Sequence, residues 1–215
     1  CVSCSDISVL TYYQSFSSTE PADLAAADLG ATHTATNDGS VFASAYDAST
    51  WDIIVVDAPG TSLPTDVTTR ISTQISTSGI VLFSWWDLDS DTSMQATLGV
   101  SVDSSIGSPL PLHSTSGTSL WSIIESLPDP ISNNSDDAGD NGDIISAVDP
   151  ATSEQLAYFD ADPTKGAIIA TNNGQVIVNG FLPWDFQTTD DDADSTSDMV
   201  ELFINEIAWT TGCAP

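Results

Sequence analysis

Three short stretches, Ile7 to Tyr13, Ile53 to Asp57 and Ile80 to Trp85, are apolar without the alternation of a half-exposed strand. Strands that read this way are covered on both faces, so these three are expected to form the parallel core of a sheet between helices. The segments between them carry helix signals. Thr19 is a candidate N-cap, Pro21 suits a first turn and Gly30 a terminus. A second helix starts near Pro64, places Val67, Ile71 and Ile75 on one face and stops at Gly79. This alternation predicts an α/β fold with a mainly parallel sheet.

The second half reads differently. Pro109, Pro111, Pro128, Pro130 and Pro150 punctuate residues 103–150, which read as a long loop after a short helix at Ser119 to Ser126, with 129–143 as an acidic surface loop. Strands are expected at Gln155 to Phe159, Ala167 to Thr171 and Gln175 to Phe181. Asn173-Gly174 accepts the positive φ of a tight turn, so the last two should pair as an antiparallel hairpin. A final helix from about Asp198 to Thr210 offers Val200, Phe203, Ile204, Ile207 and Ala208 as its apolar face. The 215 residues suit one domain with residues 1–5 as a tail.

Only Arg70 and Lys165 oppose 31 acids, and the net charge of -29 would repel nucleic acid and anionic membranes. No run reaches the ~18 apolar residues of a membrane span. No signal peptide opens the sequence, as expected of an already processed chain. Glutamate occurs only at Glu20, Glu125, Glu154, Glu201 and Glu206; every other acid is aspartate. Aspartate among Ser, Thr, Asn and Gly suits turns and oxygen-rich cation sites, as in a secreted protein in calcium-bearing water, or a salt-adapted surface. The cysteines lie at the two ends. A doubly wound sheet begins its first strand where an antiparallel final helix ends, so Cys4 and Cys213 are expected to pair, which implies an extracellular or cell-surface location. Cys1 is left for an intermolecular bond, for Cys213 instead, or for a lipid anchor.

The segment Val176 to Asp185 resembles the strand G-x-Q-F-H-P-E of class I glutamine amidotransferases, in which His and Glu activate a cysteine. Phe181 and Pro183 are in register with its Phe and Pro, but Leu182 stands at the His and Trp184 at the Glu. Gly79 to Trp86 resembles the strand that ends at the nucleophile, with Ser84 or Trp85 at the cysteine. With Tyr46-Asp47, Trp51 through Asp57 and Asn205 through Trp209, the likeness spans roughly residues 6–210. It implies the three-layer, flavodoxin-like fold of the amidotransferase-like and ThuA-like proteins, in a catalytically degenerate form without catalytic residues. Ser84 lacks the small neighbours of a nucleophile elbow, and His33 and His113 lie in segments expected elsewhere. Trp85, Trp86, Asp87, Trp184 and Asp185 fall at strand carboxyl ends, where such folds place a ligand crevice. They would stack on a carbohydrate ring or plug a disused site.

Asp190, Asp192, Asp194, Asp198 and Glu201 occupy positions 1, 3, 5, 9 and 12 of a calcium loop, with Thr196 at the carbonyl position and Ser195 where Gly is expected. The competing account is an acidic helix start, with Asp198 as cap and Glu201 closing a capping box. Asp87, Asp89 and Asp91 make a partial match, and Asp136, Asp137, Asp140 and Asp143 a weaker one. Two functions follow. One is a non-enzymatic extracellular structural or adhesive domain, a subunit of a surface layer or filament, rigidified by Ca2+ and a disulfide. Self-assembly would use the apolar remainder behind a mean hydropathy of +0.03. The other is a ThuA-like carbohydrate- or amide-active enzyme with an unrecognised site.

Overall fold

The structure is a computed structural model that describes residues 2–14, 20–60, 62–133, 142–186 and 189–214, without the side chains of Trp184 and Asp185. In chain order the elements are β1 (Val2–Ser3), β2 (Ser8–Tyr13), α1 (Pro21–Asp28), β3 (Thr32–Thr36), α2 (Gly39–Ala48), β4 (Ile53–Ala58), α3 (Thr65–Ser76), β5 (Ile80–Trp85) and α4 (Thr92–Leu98). There follow β6 (Val100–Ser105), β7 (Leu112–Ser114), β8 (Asp143–Ala147), β9 (Glu154–Phe159), β10 (Gly166–Thr171), β11 (Val176–Asn179), α5 (Asp198–Thr211) and β12 (Cys213–Ala214).

One eight-stranded sheet runs β3-β2-β4-β5-β11-β10-β9-β7. From β3 to β11 the strands are parallel; β10, β9 and β7 add antiparallel pairs. The continuous apolar runs are β2, β4 and β5 in adjacent places, and β4 is buried at every residue. Alternate residues divide between two cores. Val9, Ile53, Val55, Leu82 and Ile177 pack under α1 and α5. Leu10, Ile54, Val56, Val81, Phe83 and Val178 pack under α2, α3 and α4, through Phe42, Val67, Ile71, Met94 and Leu98. Each wholly buried Val, Leu or Ile contributes roughly 1.5–3 kcal/mol, so this three-layer arrangement is held by its central strands.

Several expectations need correction. Residues 103–150 are not one loop: β7 joins the sheet edge, and β6 pairs with β8 in a separate antiparallel ribbon. The acidic stretch is likewise not all surface, since Ile131 and Asp143 are buried. An added Cβ at Gly180 would collide with the Asp143 carbonyl, so glycine permits this close approach of β8 to the end of β11. The helix expected at Ser119 to Ser126 is only a 3-10 turn at Leu120–Ser122. The final helix buries residues 198–208 on all sides, not one face, because the sheet, α1 and the 120–125 turn all cover it. Thr19 lies outside the described residues, and Glu20 is the residue that precedes α1.

Cys4 and Cys213 are bonded, with Cα atoms 5.0 Å apart, and β1 lies parallel to β12 beside them. That excludes Cys1, itself outside the described residues, as the partner of Cys213. Among the described residues no helix is long and apolar enough to cross a membrane.

Candidate functional site

The carboxyl ends of β4, β5 and β11 place Asp57, Ser84 and Asn179 side by side in register. With a spacing of about 4.8 Å between strands, three polar side chains form a row on the face beneath α1 and α5. Thr11 of β2 lies on the same face. All four are at most 2% exposed. Two carboxyls close the row from the helices. Glu20, at the entry to α1, shares a hydrogen bond with Asp57, and Glu206 of α5 accepts one from Asn179 Nδ2 at 3.4 Å. Among the described residues Thr11 Oγ1, Ser84 Oγ, Asn179 Oδ1 and Glu206 Oε1 meet no hydrogen-bond partner.

Burial governs the charge of this row. Desolvation, then the Glu20 charge and the hydrogen bond between them, raise Asp57 well above the usual carboxylate range. Desolvation pushes Glu206 up to about 8, and the Asn179 bond offsets only part of this. At neutral pH Glu206 is therefore a neutral acid, and burial beside Glu20 biases Asp57 toward its protonated form.

No imidazole is in reach of Ser84. His33 is on β3 and His113 on β7, the two edges, three and four strand spacings from β5. That amounts to about 14 and 19 Å. Each has other contacts: His33 Nε2 is 3.5 Å from Asp23, and His113 stacks on Tyr158 beside Asp129. Leu182 is buried and carries no titratable group, and the Trp184 and Asp185 side chains lie outside the described residues.

Trp85 is not a stacking platform. The residue is 7% exposed, its Nε1 donates to the Gly60 carbonyl, and its ring meets Phe83 in a T-shaped contact. Trp86 and Asp87 beside it are half-buried. A groove of about 720 Å3 lies at the opposite edge, where the parallel strands begin, lined by Ile7, Tyr46, Trp51, Asp52, Gly79 and Thr210 among others.

Five of the six predicted loop ligands gather in two overlapping carboxylate groups at the start of α5. Carboxylate oxygens of Asp190, Asp192 and Asp194 lie within 4.8 Å of one another, as do those of Asp192, Asp198 and Glu201. The helix-capping account of Asp198 and Glu201 is corrected: Ser197 is the N-cap and accepts from the Met199 amide, while Asp198 is the first helical residue. The Asp87 match resolves into capping as well, since Asp91 accepts from the amides of Ser93 and Met94 to start α4. Asp136, Asp137 and Asp140 lie outside the described residues.

Sequence reasoning missed Asp57, Glu20 and Glu206 as a group. The available signal was an acid ending an apolar run and another inside an apolar helix face.

No protein-family profile and no curated protein matches the sequence. Solved structures do resemble it. A GMP synthase subunit from Thermoplasma acidophilum aligns over 96% of this chain and 94% of its own, with TM-score 0.56 at 12% identity. A ThuA-like protein from Parabacteroides merdae aligns over 97% and 91%, with TM-score 0.54 at 11%. The N-terminal domain of mmIFT52 aligns over 95% and 96%, with TM-score 0.60 at 10%. The fold is thus class I glutamine amidotransferase-like. These matches overturn the expected extracellular structural or adhesive function: amidotransferase-related and ThuA-like descriptions stand among them, and no surface-layer, filament or adhesive one.

Proposed function

We propose that the chain is a non-catalytic binding domain on an amidotransferase-like scaffold, working in an oxidising extracellular or cell-surface setting. The observation that carries this reading is Ser84, wholly buried at the end of the strand where the nucleophile belongs. Activating a hydroxyl requires a base within hydrogen-bond reach, and both histidines are several strands away. Room for a small ligand lies instead in the groove at the Tyr46 and Trp51 edge. The Cys4–Cys213 bond supports the compartment, because thiols stay reduced in most cytosols.

Glutamine incubated with the protein is expected to release ammonia at the uncatalysed rate, with Ser84→Ala indistinguishable from the parent. Turnover lost in Ser84→Ala would overturn the reading. A second reading has an observation of its own. Two hydrogen-bonded carboxyls of which one is raised by burial, as Asp57 is beside Glu20, can divide into a general acid and a general base. A panel of amide and glycoside substrates decides between them: hydrolysis abolished by both Glu20→Gln and Asp57→Asn would favour an acid–base enzyme.

A further inference from the structure

The geometry points to a calcium-binding site formed by Asp190, Asp192, Asp194, the Thr196 carbonyl, Asp198 and Glu201. The two carboxylate triads share Asp192, which links the loop to the first turn of α5. The backbone turns as such a loop must. Ser195, at the position where calcium loops use glycine, has φ 84°, and Ala193 has φ 61°. Amides of Asp194 and Ser195 donate to the Asp190 carboxylate, and that of Thr196 to Asp194.

Hydrogen bonds of that kind shape many acidic turns without a metal. Asp198 and Glu201 are different. They are 0% and 2% exposed, both belong to the second triad, and Asp198 Oδ1 and Glu201 Oε2 meet no hydrogen-bond partner among the described residues. A carboxylate taken out of water beside other carboxylates is costly unless a cation compensates it. The carboxylate of the interleaved Asp191 accepts from the Ser132 amide, while its own amide donates to Asp198 Oδ2.

The donor set selects the ion. Every group is an oxygen, with no imidazole or thiolate, which disfavours zinc and copper. Five carboxylates and a carbonyl on a twelve-residue loop suit the six to eight oxygens that Ca2+ takes at 2.3–2.6 Å better than the strict octahedron of Mg2+. The bound ion would fasten the first turn of α5, the helix buried along residues 198–208, to the loop held at Ser132.

The test is calorimetric titration of the chelator-stripped, disulfide-intact protein with CaCl2, in parallel with melting scans at fixed ionic strength. One saturable site per chain is expected, with a melting temperature several degrees higher in millimolar Ca2+ and a smaller rise in Mg2+. Glu201→Gln and the exposed Asp192→Asn should each weaken binding at least tenfold. Asp6→Asn, which removes an equally charged but distant acid, should leave it unchanged. The absence of saturable heat at millimolar Ca2+, an equal rise in NaCl of matched ionic strength, or equal affinity in Asp192→Asn and the parent would each overturn the site.

Discussion

Breaking the Cys4–Cys213 bond is expected to lower the unfolding free energy by about 5 kcal/mol, the loss that the chain-entropy account gives for a loop of this size. The bond spans 209 residues, so nearly all of the denatured chain is held in one ring. A folded domain of this size is stable by about 5–15 kcal/mol in total, and the loss therefore takes a third of it or more. Urea titrations of the protein with and without reductant measure it directly. The Cys4→Ala, Cys213→Ala double variant supplies a control free of reductant. The urea slope should also steepen, because an unlinked denatured chain exposes more surface. A change under about 1 kcal/mol would contradict the expectation, since even modest native disulfides contribute about 2.

Glu206→Gln is expected to stabilise the protein, and to do so only above pH 4.5. Burial raises the Glu206 carboxyl from 4.5 to about 8 in the folded state. Below pH 4.5 it is protonated in both states and contributes no pH dependence. Between pH 4.5 and 8 the unfolded chain ionises it while the folded protein keeps its proton. The folded state then binds more protons, so stability falls as pH rises, and above pH 8 the loss levels off. At pH 7 the 2.5-unit gap corresponds to roughly 3 kcal/mol. Glutamine keeps the shape and can still accept from Asn179 Nδ2, but it does not titrate. Its amide would leave two unpaired donors where the protonated carboxyl leaves one, an added cost of about 1 kcal/mol that is the same at every pH. The diagnostic is therefore the slope: urea unfolding at pH 4, 7 and 9 should give variant and parent curves that diverge upward. Parallel curves would show that Glu206 does not carry its proton into neutral solution.

How much of this was legible in the sequence depended on burial. β2, β4 and β5 were readable because strands covered on both faces leave a continuous apolar run. β3, Thr-His-Thr-Ala-Thr at an exposed edge, leaves no such trace, and it went unpredicted. The ribbon of β6 and β8 was hidden because its strands are 37 residues apart at their nearest ends, with prolines and acidic residues between them. The hairpin at Asn173-Gly174 announced itself through turn chemistry alone: Asn172, Asn173 and Gly174 all have positive φ. The acidic group at the start of α5 was visible because its carboxylates fall at fixed spacing on one short segment. The polar row was not. Glu20, Asp57, Ser84, Asn179 and Glu206 come from five separate places, and among 31 acids nothing linear marks out the three buried ones that meet in this row.

The joined ends also have a mechanical meaning. A load pulling residue 2 away from residue 214 passes through β1, the Cys4–Cys213 bond and β12 without entering the sheet or the helices. With the bond intact the molecule is a nearly inextensible link, and its tertiary structure is shielded from tension. Once it is reduced, the same pull reaches the core, and unfolding would release roughly 700 Å of hidden chain length at about 3.4 Å per residue. Redox conditions would thus decide whether tugging on the two ends is transmitted past this domain or unravels it.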